Sequence, residues 1–70
     1  MDRKISKLRE LARDLEFYCP TIRCEDGVIK LVLDWSSYGQ DQTKVYWIGL
    51  AKMRYSELAE SLKNLANRIG

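Results

Sequence analysis

Seventy residues, 46% apolar and 31% charged with both signs mixed, make one small folded domain, residues 1–70, and a net charge of +2 is too slight a bias to imply nucleic acid by itself. The chain has no histidine and two cysteines. A zinc site would need carboxylates to complete it, and no glycine-rich phosphate cradle and no serine or cysteine beside an evident base are present, so no enzyme, cofactor or metal is expected.

A domain this small buries only about 60% of the surface its extended chain exposes, so self-association would add to a marginal core. Charge is unevenly spread. Residues 1–13 carry five basic and two acidic side chains, residues 14–42 two and six, and residues 43–70 five and two. The ends are basic and the middle is acidic.

The start, Met1 to Lys7, is charged without a following apolar run and does not read as a signal peptide, and no stretch approaches the length of a membrane span. A cytoplasmic protein with free thiols is expected. From Ile5 the apolar positions Ile5, Leu8, Leu11, Ala12, Leu15 and Tyr18 fall on an arc about 140° wide at helical spacing. The spacing predicts a first amphipathic helix, ended near Tyr18 by Pro20.

Asp26-Gly27 stands between two alternating apolar runs, the strongest short hairpin signal. With these two as the loop, Cys24 faces Ile29, Ile22 faces Leu31, and Pro20 lies near Leu33, so the inward residues are apolar on both strands. The second strand runs to Trp35, with Ile29, Leu31, Leu33 and Trp35 inward. Ser36 to Gln42 is polar, holds Gly39 and reads as a loop. Thr43 to Leu50 is a third strand whose inward set is either Tyr46, Ile48 and Leu50 or Val45 and Trp47. The first set places more aliphatic surface in the core and leaves Trp47 outside. Finally Tyr55, Leu58, Ala59, Leu62, Leu65, Ala66 and Ile69 fill an arc about 120° wide free of polar residues, the clearest helix in the chain.

The expected fold is α+β: helix, three-stranded antiparallel meander, helix, with both helices on one face of the sheet. The opposite face stays open and carries Thr21, Arg23, Glu25, Val28, Lys30, Val32 and Asp34, with Val45 and Trp47 if the third strand is oriented as favoured.

Val32 and Trp47 then form an exposed apolar patch suited to a protein contact, unless Trp47 turns inward or a chain end covers it. Arg23 and Lys30 are paired like charges, which either face an anionic partner or are screened by Glu25 and Asp34. Phe17 projects away from the apolar stripe and is exposed if the helix reaches it; otherwise it closes the base of the core. Tyr38 offers an exposed ring among hydrogen-bonding neighbours, a composition suited to adaptable recognition. Arg3, Lys4 and Lys7 open the first helix, and Lys52 and Arg54 precede the second. Both groups suit a phosphate in outline, although Glu57 and Glu60 already supply the negative charge that the second helix dipole favours.

In element order the chain resembles the double-stranded-RNA-binding domain over its whole length, and the resemblance is one of topology, implying that fold order and not the family's activity. Departures fall where that family makes its contacts. The first loop here is only Asp26-Gly27, no histidine is present, and the second helix opens on Ser56-Glu57 rather than a lysine cluster.

The expected function is a small non-enzymatic protein-binding or regulatory module, a homodimer or stand-alone regulator, acting through Val32, Trp47, Arg23, Lys30, Tyr38 and Phe17. The alternative is nucleic-acid binding, with Arg23 and Lys30 on phosphates, Trp47 or Tyr38 stacking on bases, and Arg3, Lys4, Lys7, Lys52 and Arg54 as a basic rim.

Overall fold

A computed structural model describes residues 3–69. Helix α1 (Arg3–Leu11) leads through a 3₁₀ segment (Ala12–Tyr18) into strands β1 (Thr21–Glu25), β2 (Val28–Ser37) and β3 (Gln40–Leu50), and helix α2 (Tyr55–Ile69) follows. The strands form one antiparallel sheet in the order β1-β2-β3. Both helices cover the same face. Leu8, Leu15, Leu58 and Leu62 meet Ile22, Ile29, Leu31, Leu33 and Ile48 in a single buried cluster. This is the αβββα order expected from the pattern.

The first hairpin has the expected register: Arg23 pairs with Lys30, Cys24 with Ile29 and Ile22 with Leu31. Asp26 (φ 52°) and Gly27 (φ 75°) are both left-handed, as a type I′ turn requires. Cys24 departs from expectation in one respect. It stays exposed, on the edge strand β1, although its partner Ile29 on the central strand is buried.

Three corrections follow from local geometry. The first helix does not run as one α-helix to Tyr18. It tightens after Leu11, with a non-helical break at Leu15 (φ −106°, ψ 19°), and ends in left-handed Cys19, whose N–H donates to the Glu16 carbonyl at 3.0 Å. Ala12, Leu15 and Tyr18 are three residues apart, and at three residues per turn they line up on the core side.

The polar run from Ser36 to Gln42 is not a loop. Only Tyr38 (φ 53°) and Gly39 (φ 79°) lie outside the strands, in a second two-residue turn, and β2 and β3 pair as far as Ser37 and Gln40. Polar residues persist here because this end of the hairpin projects beyond β1, which stops opposite Val32. In β3, Tyr46 and Ile48 face the helices as favoured, but Leu50 does not. A bulge makes Lys30 pair with Trp47 while Ile29 pairs with Gly49, so Ile48 is the extra residue and the alternation changes phase after it. Gly49 takes the core position in place of Leu50. A Cβ there would lie 2.8 Å from Leu58 Cδ2 and 2.9 Å from Met53 Sδ, so the bulge places glycine where the Leu58 and Met53 side chains press against the sheet.

Candidate functional site

The sheet face turned away from the helices is built in cross-strand rows set by the register. Starting at the Asp26-Gly27 end, Glu25, Val28 and Leu50 form the first row; Arg23, Lys30 and Trp47 the second; Thr21, Val32 and Val45 the third. Beyond β1 come Asp34 with Thr43, then Ser36 with Asp41. Trp47 is 61% exposed, Val45 55% and Leu50 36%, and Val28 and Val32 are half-buried between them. These five side chains make an apolar patch over β2 and the edge strand β3, with Lys30 set between Val28 and Val32. Among the described residues nothing covers it.

The charges on the face are segregated along the strands. Arg23 and Lys30 lie at one end, with the Glu25 carboxylate 3.8 and 3.9 Å from them. Glu25 offsets the like-charge repulsion of the pair, although all three side chains are exposed enough that each contact stabilises by no more than about 1 kcal/mol. At the other end Asp34 accepts a hydrogen bond from the Thr43 hydroxyl at 2.7 Å, and Asp41 accepts one from the Ser36 hydroxyl at 3.0 Å. Those bonds hold both carboxylates on the open face.

Where β1 stops, a groove of about 570 Å³ opens beside β2, lined by Phe17, Cys19, Asp34, Ser36, Asp41 and Thr43 among others. Its wall is aromatic. Tyr18 stands edge-on to Trp35 (5.5 Å between ring centroids), and Phe17 stands edge-on to Tyr18 (5.1 Å). Tyr18 packs on the core, so Phe17, 70% exposed, does not close the core base and instead forms the outer rim of the groove. Tyr38 is fully exposed at the hairpin tip and touches neither the groove nor the apolar patch.

The basic candidates gather at the opposite end of the molecule. The Lys4 ammonium donates to the carbonyls of Ala51 (2.6 Å) and Met53 (3.2 Å), which ties the first turn of α1 to the β3–α2 connection. Arg3, Lys7, Lys52 and Arg54 are exposed around that tie, with Lys7 5.3 Å from the centre of the Tyr55 ring. The start of α2 is already served. The Arg54 N–H donates to the Glu57 carboxylate at 3.3 Å, one half of a capping box, and the Glu57 N–H donates to the Arg54 carbonyl at 3.1 Å as the first backbone bond of the helix start.

Val32, Trp47, Arg23 and Lys30 therefore share one surface, Phe17 borders it, and Tyr38 stands apart. Leu50, Asp34 and Asp41 belong to that surface too. Simple alternation points Leu50 inward and so misses it. Asp41 is hidden by the loop-like composition around it, although Ser36 and Asp41 lie symmetrically about Tyr38-Gly39, as paired positions of a two-residue hairpin must. Against protein-family models, curated proteins and solved structures alike, the chain finds no match.

Proposed function

We propose that this chain is a small non-enzymatic, protein-binding regulatory module that works through the open face of its sheet and associates with itself. The observation that carries the reading is the apolar patch of Trp47, Val45 and Leu50 on β3 with the half-buried Val28 and Val32 beside it on β2, bordered by Arg23 and Lys30 on one side and by Asp34 and Asp41 at one end. An apolar core with a charged rim is the anatomy of a protein contact surface. Trp47 is its natural anchor, because burying the exposed part of an indole, roughly 150 Å², contributes up to about 4 kcal/mol. The exposed thiols of Cys19 and Cys24 fit a reducing, cytoplasmic setting.

The test compares the wild-type chain with Trp47→Ala for self-association by sedimentation and for capture of partners from a cell extract. The reading predicts that association is lost in the variant while its far-UV circular dichroism is unchanged. Association of the same strength in both proteins refutes it.

A second reading, nucleic-acid binding, is favoured by the convergence of Arg3, Lys7, Lys52 and Arg54 around the Lys4 tie. Its signature is affinity for short RNA or DNA duplexes that falls steeply with salt. No binding at low salt removes it.

A further inference from the structure

We infer that the occupant of the open face is a second copy of this chain, stacked face to face about a twofold axis that crosses the strands at Val32 and Val45. The inference rests on the open face being a self-associating, protein-binding surface and adds the symmetry and orientation of the pair.

The order of the rows selects the axis. Val32 and Val45 form the central row; the Arg23, Lys30 and Trp47 row lies on one side of it and the Asp34 and Thr43 row on the other. An in-plane twofold perpendicular to the strands exchanges those two rows. Lys30 then lies over Asp34 of the second copy, Trp47 over Thr43 of the second copy, and Val32 and Val45 over their own counterparts. Each unlike-charge contact occurs twice, as an isologous interface requires. A twofold running along β2 would instead set Lys30 over Lys30 and Asp34 over Asp34, so complementarity of charge excludes it. Packed sheets lie about 10 Å apart, a gap that an extended lysine and an aspartate span together.

The groove supports the same operation. Because β1 ends at Thr21, the position beside Asp34 and Ser36 has no third strand, and the groove of about 570 Å³ that both residues line opens at this end of the sheet. The twofold places Arg23 of the second copy above that groove. Its guanidinium meets the Asp34 carboxylate, with the exposed Phe17 ring as a flanking wall. Glu25 takes up one of the two positive charges of Arg23 and Lys30, and the remainder faces Asp34, while the outermost rows set Val28 over Ser36 and Leu50 over Asp41.

The size of the face sets the strength. Five rows at roughly 7 Å per row and three strands at about 4.8 Å give a face of roughly 400–500 Å², so a dimer removes about 1,000 Å² of surface, the lower bound for a specific interface. An interface at that bound belongs with weak, transient complexes, for which micromolar rather than nanomolar association is expected.

Sedimentation equilibrium on the 70-residue protein tests this with Lys30→Asp, Asp34→Lys, an equimolar mixture of the two, and Trp47→Ala. The wild type is expected to dimerise with a micromolar Kd. Each charge variant alone should raise Kd at least about tenfold, because the twofold doubles every like-charge contact. The mixture should return to within about threefold of the wild type. In the mixed dimer the aspartate introduced in one chain meets the lysine introduced in the other, while the unaltered Asp34 and Lys30 keep their contact. A mixture that sediments as the sum of its parts overturns the orientation, and a wild type that is monomeric at millimolar concentration overturns self-pairing altogether. These failures differ from failure of the open face itself. If Trp47→Ala abolishes self-association, or capture of another protein, while the charge pair shows no complementation, the face still binds and only this geometry falls. Circular dichroism checks each fold, and Arg23→Glu replaces Lys30→Asp if that variant is unfolded.

Discussion

Gly49→Ala tests the link between the β3 bulge and the position of α2. The added methyl would lie 2.8 Å from Leu58 Cδ2 and 2.9 Å from Met53 Sδ, against the 3.5–4.0 Å or so of an ordinary carbon contact. Leu58 is fully buried, and the Met53 sulfur accepts the Leu50 N–H at 3.1 Å. Both side chains must therefore shift against their packed neighbours, and the Met53 contact is disturbed with them. Overpacking of this kind costs about 1–3 kcal/mol, and the gain from removing glycine from a strand offsets about 0.5–1 kcal/mol, which leaves a net loss near 1–2 kcal/mol. A domain of this length has about 4–10 kcal/mol to lose, so urea and thermal unfolding resolve the change as a drop of roughly 5–15 °C in Tm. Leu58→Ala in the Gly49→Ala background should cost less than the two single losses added together, because it vacates the space the methyl needs. A neutral or stabilising Gly49→Ala would refute the close approach.

Other substitutions separate surface from scaffold. Trp47→Ala should move Tm by less than about 3 °C in dilute solution, where no partner is bound, because the ring is mostly exposed; a large drop would mean that the indole is packed within the monomer. Lys4→Met should lower stability by about 1–2 kcal/mol in urea unfolding through loss of its bonds to the Ala51 and Met53 carbonyls, whereas exposed Lys7→Met should cost less than about 0.5 kcal/mol. Tyr38→Asn should raise the unfolding midpoint, with a gain of about 0.5–1 kcal/mol, since asparagine tolerates the left-handed conformation of a type I′ turn and the Tyr38 ring makes no packing to lose.

The parts of the fold legible in the sequence are those where one local rule decides. Asp26-Gly27 sets the register of β1 against β2 without reference to anything distant, and the stripe of α2 can face only the core. The open face follows from them, and with it Arg23, Lys30, Val32 and, by the choice of inward set, Trp47. What the pattern conceals depends on contacts between distant segments. The bulge at Ile48 sets Gly49 under Leu58, a contact across the β3–α2 connection that no alternation rule contains. Ser36 to Gln42 looks like a loop because polar residues occupy both faces, yet both faces are solvated only because β1 is short. The 3₁₀ segment is hidden for a related reason: Ala12, Leu15 and Tyr18 satisfy a three-residue repeat as well as an α-helical one, and only packing on Trp35 and the sheet decides between them.

Whether the open sheet face is where this protein meets its partner is tested most directly by a dilution series of amide nuclear magnetic resonance spectra, from millimolar to low-micromolar concentration. Such a series reads the surface residue by residue without any substitution. Concentration-dependent shifts confined to β2 and β3 around Lys30, Val32, Asp34, Thr43, Val45 and Trp47 are predicted. Shifts that fall instead on the first turn of α1 and on Lys52 and Arg54, leaving the sheet unmoved, would contradict it.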